Sequence, residues 1–202
     1  DDLASMRYCV DEEQHYNVVD AALAAGVPVP ESVWSRNFYT TSSCGICGKA
    51  SLDEVSVRSD PIPEGPVVTR RIILALPDLL RAAQRAFDET GGLHAAGLFS
   101  PAGELIALRE DVGRHNALDK LVGSQVIAKA MPLHGRILMV SGRVSFEIVQ
   151  KAAVVGIPFV AAVSAPSALA IEAADRLGVT LIGFLRGDTA DAENVVIVSR
   201  SF

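Results

Sequence analysis

Ile137-Leu138-Met139-Val140-Ser141-Gly142-Arg143 is the stretch from which the rest can be read, because it opens a pattern that then repeats. Four apolar residues give way to a serine and a glycine, and Ser145 stands where it can cap a helix running to Val155. Pro158 to Val163 reads as a second apolar strand, and Ser167 can cap a helix to Leu177. Gly178 ends that helix, and Leu181 to Phe184 is a third strand. Val195 to Val198 has the content of a last strand. Strands and helices alternate, so the expected fold class is α/β, with right-handed crossovers and a largely parallel sheet.

Ligands of such sheets lie beyond the carboxyl ends of the strands. That edge would carry Ser141-Gly142-Arg143, Ser164-Ala165-Pro166-Ser167 and Leu185-Arg186-Gly187-Asp188. Small and hydroxyl residues there allow close approach, and Arg143 and Arg186 suit phosphate. The helix starts after Ser141 and Ser164 turn backbone N–H groups towards an anion. A phosphate-bearing ligand is the expectation, set against the fact that any doubly wound domain carries glycine and serine in these loops. Neither GxGxxG nor GxxxxGK[ST] occurs, so no standard dinucleotide fingerprint or P-loop supports it.

Upstream, Ala117 to about Lys129 reads as a helix entered from the polar run Glu110-Asp111-Val112-Gly113-Arg114-His115-Asn116. Leu93 to Phe99 and Glu104 to Arg109 look like two strands joined by the turn-forming Ser100-Pro101-Ala102-Gly103. Arg70 to Glu89 is helical in pattern, with Leu79, Leu80, Ala83, Ala86 and Phe87 on one face. Pro77 kinks it or starts a second helix, and Gly91-Gly92 stops it. Three prolines in Asp60-Pro61-Ile62-Pro63-Glu64-Gly65-Pro66 mark a linker. They divide a smaller N-terminal part, residues 1–66, from an α/β domain, residues 67–202. In the smaller part Ala4 to Val10 is strand-like, Tyr16 to Ala25 reads as a short helix ended by Gly26 and Pro28, and Val33 to Tyr39 as a strand.

That last strand leads into Thr40-Thr41-Ser42-Ser43-Cys44-Gly45-Ile46-Cys47-Gly48-Lys49, which holds two of the three cysteines at CxxC spacing. Glycine after each cysteine frees the backbone, so both sulfurs can sit at the surface of a tight loop. A CxxC pair suits a redox dithiol, half of a zinc site, or a nucleophilic thiol with a helper. No second CxxC exists, leaving Cys9, His15, His94, His115 and His134 to complete a zinc site. Reactive thiol chemistry is the leading reading, zinc the second, and two cysteines merely packed in a turn the third.

Composition sets the outer bounds. A chain of 202 residues, 50% of them hydrophobic, can bury a sizeable core. Its formal charge of -6 argues against a sequence-independent nucleic-acid binder, so local groups must hold any anion. No apolar run reaches the roughly 18 residues that span a bilayer, and no signal-peptide pattern opens the chain. Three cysteines make no disulfide framework, which points to a reducing, cytoplasmic setting.

Taken together, several stretches resemble one family. Ser43-Cys44-Gly45-Ile46-Cys47-Gly48-Lys49, Thr90-Gly91-Gly92-Leu93-His94-Ala95-Ala96-Gly97, Ser141-Gly142-Arg143 and Ser164-Ala165-Pro166-Ser167-Ala168-Leu169-Ala170 look like the formate dehydrogenase accessory sulfurtransferase family, often called FdhD. The string Glu110-Asp111-Val112-Gly113-Arg114-His115-Asn116-Ala117-Leu118-Asp119-Lys120 is far more specific than any CxxC.

The resemblance implies a carrier that takes persulfide sulfur from a cysteine desulfurase to the molybdenum cofactor bearing two molybdopterin guanine dinucleotides, ahead of its entry into formate dehydrogenase. It implies a layered fold similar to the cytidine deaminases, a homodimer, and no permanently bound cofactor or metal, the molybdenum compound being a substrate. The persulfide-bearing position corresponds to Cys44, with Cys47 as an assisting or resolving thiol. The cofactor-binding segment corresponds to Phe184-Leu185-Arg186-Gly187-Asp188-Thr189. Ser141, Gly142, Arg143, Ser164, Arg114 and His115 are further candidate contacts, since pyrophosphate asks for arginine and backbone N–H groups rather than global positive charge. The match thins after Asp188, where Ala190 to Phe202 replaces the usual tyrosine-containing tail.

Other readings stay open beside it. Glu110 and Asp111 can form a structural network with Arg114, His115 can cap a helix, His94 can be a satisfied core histidine, and Cys9 a buried apolar residue. A zinc-dependent deaminase shares the implied fold, but its glutamate two residues after the histidine is Ala96 here. A chaperone that holds the cofactor without moving sulfur is the third class.

Overall fold

The computed structural model describes residues 2–8, 19–29, 62, 65–186 and, for the backbone alone, 196–198. The chain divides into two compact units, residues 1–40 and 41–202. In the first, β1 (Leu3–Tyr8) and β2 (Val19–Leu23) form an antiparallel pair in which Leu3 opposes Leu23, Met6 opposes Ala21 and Tyr8 opposes Val19. The helix expected over Tyr16 to Ala25 is therefore corrected, since residues 19–23 of it are a strand. Ala21 and Ala22 favour a helix by propensity, but cross-strand pairing overrides that preference. The Val33 to Tyr39 strand, the cysteine loop and Cys9 lie outside the described residues, as does most of the 60–66 linker. Ile62, within that linker, is buried in the core of the second unit.

The second unit is built on a mixed six-stranded sheet in the order β4-β3-β5-β6-β7-β8. Its elements are α1 (Arg70–Ala83), α2 (Arg85–Thr90), β3 (His94–Phe99), β4 (Leu105–Asp111), α3 (Arg114–Ile127), β5 (Ile137–Val140), α4 (Phe146–Val154), β6 (Phe159–Ala162), α5 (Ala168–Leu177), β7 (Thr180–Gly183) and β8 (Val196–Val198). As the alternation predicts, β5, β6 and β7 run parallel. β3 is antiparallel to both β4 and β5, and β8 is antiparallel to β7. The β3–β4 hairpin closes through Ser100 N–H to the Glu104 carbonyl at 2.9 Å, with Gly103 at φ 86° in the turn. An L-residue resists that dihedral.

Strand residues alternate between two cores. Leu138, Val140, Val160, Ala162 and Leu181 point to one face, where Leu118 and Leu121 of α3, Ile148 and Val149 of α4, and Ala170 and Ala173 of α5 cover them. Ile137, Met139, Phe159, Ala161 and Ile182 point to the other, where α1 supplies Leu76 and Leu80. Gly97 makes that second cover possible, because a Cβ there would stand 2.6 Å from Leu80 Cδ1.

Three local expectations change. Pro77 lies inside α1, and the helix runs through it to break at Gln84 instead. Leu79, expected on the buried face, is 42% exposed. The helix expected from Ala117 begins at Arg114, so Arg114-His115-Asn116 form its first turn.

Candidate functional site

A cleft of about 920 Å³ opens at the carboxyl edge of the parallel strands, on the side covered by α1 and α2. Ser141 after β5, Val163 after β6, and Leu185 and Arg186 after β7 line it from the sheet. Leu93 and His94 at the start of β3 line it beside them, since β3 runs opposite to β5 and begins at the same edge. The far wall comes from Leu80 and Arg81 of α1, the break residue Gln84, and Phe87 of α2.

Local hydrogen bonding holds the strand ends in place. Ser141 N–H donates to the Ala95 carbonyl at 3.0 Å, and Ala95 N–H donates back to Ser141 Oγ at 2.8 Å. The β3–β5 pairing is thereby extended by one residue, and the Ser141 hydroxyl proton is left to donate elsewhere. Gly142 packs against His94, whose Nδ1 would lie 3.1 Å from a Cβ at that position, and Arg114 Cβ would lie 3.6 Å away. The loops after β5 and β6 are tied together by Val144 N–H to the Ala165 carbonyl at 3.1 Å and Ser167 N–H to the Val144 carbonyl at 2.9 Å. Gly183 admits the second loop, because a Cβ there would stand 2.5 Å from Pro166 Cδ.

After β7 the chain bends at Phe184, a non-glycine residue at φ 59°. That conformation costs an L-residue about 1–2 kcal/mol. Two backbone bonds hold it, Phe184 N–H to the Ser164 carbonyl at 3.2 Å and Leu185 N–H to the Ala162 carbonyl at 2.9 Å. Leu185 is buried as a result, and the exposed Arg186 is delivered to the cleft rim.

A second cluster stands on the α3–α4 side of the same edge. His115 Nε2 is 2.9 Å from Ser145 Oγ and 3.9 Å from Glu147 Oε2. Ser145 occupies the N-cap position of α4 without a side-chain capping bond, its hydroxyl meeting His115; Ser167 does cap α5, accepting from Ala170 N–H at 3.2 Å. Burial, reinforced by the neighbouring Arg114 charge, lowers the His115 pKa below its usual value. For Glu147, burial acts upward, but hydrogen bonds from Ser145 and its own backbone N–H, with His115 and Arg114 nearby, leave the net shift downward. Arg114 Nε is buried with no hydrogen-bond partner among the described residues.

The acidic pair before this helix has a structural role, though with partners other than the expected Arg114. Asp111 Oδ1 accepts from Gly113 N–H at 2.8 Å and Asn116 Nδ2 at 3.2 Å, while Oδ2 meets Lys120 Nζ at 2.5 Å. The Lys120 and Gly113 bonds pull its pKa down to about 2. Glu110, one residue earlier and so on the opposite face of β4, reaches α2, accepting from Ala86 N–H at 3.0 Å and Phe87 N–H at 2.9 Å.

Of the residues singled out in the sequence, the structure brings Ser141, Leu185 and Arg186 into the cleft. Gly142, Ser164 and Phe184 stand in the backbone that shapes it. His115 belongs to the cluster on the other face, Arg114 sits at the boundary between them, and Arg143 is exposed on the linking loop. Cys44, Cys47, Gly187, Asp188 and Thr189 lie outside the described residues. Sequence reasoning missed the whole α1–α2 wall and underrated His94, which lines the cleft rather than closing a core. Gln84 was the available signal, a polar residue between two helical stretches that the structure buries at 3% exposure. Among the described residues no three His, Cys, Asp or Glu side chains are grouped to hold a metal ion, and no helix is long and apolar enough to cross a membrane.

Fold and site define a mixed-sheet α/β protein with an open cleft at the carboxyl edge of its parallel strands. The chain belongs to the FdhD/NarQ family, whose model matches residues 1–194. It is 55% identical over 195 residues to the sulfur carrier protein FdhD of Streptomyces coelicolor, covering 93% of this chain and 69% of that protein. The protein of the same name from Sulfolobus acidocaldarius is 46% identical over 157 residues, covering 78% of this chain and 60% of the relative. A crystal structure of a formate dehydrogenase accessory protein from Desulfotalea psychrophila superposes with a TM-score of 0.60 at 27% identity, over 72% of this chain and 59% of that one.

Proposed function

We propose that the chain is a sulfur carrier serving formate dehydrogenase, with Cys44 as the carrying thiol and the carboxyl-edge cleft as the seat of the acceptor. The observation that carries this reading is the family match over residues 1–194, which runs through Cys44-Gly45-Ile46-Cys47 and the three strand-end loops together. As a sulfurtransferase it takes sulfur from a cysteine desulfurase. The Cys44 thiolate attacks the outer sulfur of the donor's persulfide, an S–S bond forms at Cys44, and the donor leaves as its thiolate. Cys47 assists or resolves that persulfide.

The acceptor is the molybdenum cofactor with two molybdopterin guanine dinucleotides, bound as substrate. Arg186 and the backbone around Ser141 and Ser164 suit its pyrophosphates, with Arg114 and Arg143 flanking them, and the mixed apolar and polar cleft suits a ring. Gly187, Asp188 and Thr189 continue the contact strip begun at Phe184. The layering is similar to that of the cytidine deaminases, and the working form is a cytoplasmic homodimer.

Intact-mass measurement after incubation with a cysteine desulfurase and cysteine tests the carrier step. The wild-type chain gains about 32 Da, one sulfur atom, and Cys44→Ala gains none. Formate dehydrogenase activation is lost in the same variant while guanosine diphosphate binding persists. Activation that survives Cys44→Ala would turn the reading towards a chaperone that holds the cofactor without moving sulfur.

A further inference from the structure

The wall of the cleft formed by α2 has little holding it in place on its own account. The helix is six residues long and buries none of its side chains fully. Its N-cap Gln84 makes no side-chain capping bond, so the first-turn N–H groups must find partners elsewhere. They find one carboxylate, 23 and 24 residues away in sequence. Glu110, at the end of β4, accepts from Ala86 N–H through Oε2 at 3.0 Å and from Phe87 N–H through Oε1 at 2.9 Å. A negative group at this end also meets the positive end of the helix dipole.

What Glu110 fixes is the part of the molecule that faces the ligand. Phe87 lines the cleft, the Arg81 guanidinium lies 4.6 Å from its ring centroid, and Arg81 Nη2 meets Asp88 Oδ1 at 2.6 Å, tying α1 to α2. Beyond α2, Gly91, whose N–H bonds the Phe87 carbonyl at 2.7 Å, turns the chain into Leu93 and His94. We infer that Glu110 is a positioning residue for the cleft: its carboxylate clamps the first turn of α2 and so holds Phe87 and the Gly91–His94 segment against the ligand. It touches no ligand itself, and the inference rests on the proposed acceptor site for its effect on binding.

Glu110→Gln keeps the side chain's size but leaves one acceptor oxygen for two N–H donors. Three measurements on the full chain test it, with Glu89→Gln, an exposed charge on the same helix, as the control. Amide hydrogen exchange without any ligand should speed up at Ala86 and Phe87 in Glu110→Gln by about tenfold or more, with α3 to α5 unchanged. Guanosine diphosphate affinity should fall about tenfold, as α2 loses one of the two part-buried hydrogen bonds that hold its first turn against the cleft. Persulfide loading by the desulfurase should match wild type, as should everything in Glu89→Gln. Unchanged exchange at residues 86–87 overturns the clamp. Faster exchange with unchanged nucleotide affinity overturns its role in the site. Should wild type itself bind no guanosine diphosphate, the acceptor reading fails and the role in the site with it, and the exchange measurement still decides whether Glu110 holds α2.

Discussion

One sheet presents two faces that were finished differently. On one, α3, α4 and α5 cover β5, β6 and β7, and Leu118, Leu121, Ile148, Val149, Ala170 and Ala173 are all inaccessible. On the other, α1 covers the middle with Leu76 and Leu80, then breaks at Gln84, and the short α2 leaves the carboxyl edge open. The cleft lies where that second cover runs out. From the break at Gln84 the chain passes through Phe87 and Gly91 to His94, and each of these residues lines the cleft.

The closed face should therefore govern stability and the open face binding, and substitutions can separate them. The largest effect is expected from Leu118→Ala or Ile148→Ala, each of which empties a fully buried site at a cost of about 2–5 kcal/mol. Denaturant unfolding measures it, and guanosine diphosphate affinity of the folded fraction should stay at the wild-type value. A large affinity loss in these variants would erase the distinction between the faces.

Gly142→Ala comes next, with the reverse signature. Its Cβ meets His94 Nδ1 at 3.1 Å, so the ring must move within the cleft, and nucleotide affinity should drop several-fold for a stability change below about 1 kcal/mol. Isothermal titration beside a melting curve checks both halves.

The smallest effect belongs to Asp111, where the closed face's helix is joined to β4. Its folded pKa of about 2 lies below the usual carboxylate value, chiefly through Lys120 and the Gly113 N–H. A depressed acid contributes stability that is present above its unfolded pKa and is lost as pH falls through the folded one. Unfolding followed between pH 2 and 5 should thus show a shallower pH dependence in Asp111→Asn than in wild type, and equal slopes would remove the Asp111–Lys120 bond as a contributor.

How far these faces were legible differs in the same way. The closed face could be read almost entirely, because β5-α4-β6-α5-β7 announces itself through short apolar runs, Ser145 and Ser167 before the helices, and Gly178 after the last. The open face could not. Pro77 looked like the place for a kink or a second helix start, whereas the break came seven residues later, where only the polar Gln84 marks it. Phe184 gave no sign that it would adopt a left-handed conformation, and Ser145 gave none that its hydroxyl would meet His115 and leave the backbone N–H groups of α4 uncapped. A structural network of Glu110 and Asp111 with Arg114 was one open reading, but their division between two faces depends on strand alternation at a register that only β4 reveals. In the smaller unit, Val19 to Leu23 was misread because alanine content is a local preference and pairing with β1 is not local.

Amide hydrogen exchange of the whole chain with and without saturating guanosine diphosphate tests most directly whether the open face is the binding face. Protection gathered at residues 86–95, 141–143, 163–165 and 184–186, with α3 to α5 unchanged away from Arg114, is the expected result. Protection centred on α4 and α5, leaving those four stretches as they were, would contradict it.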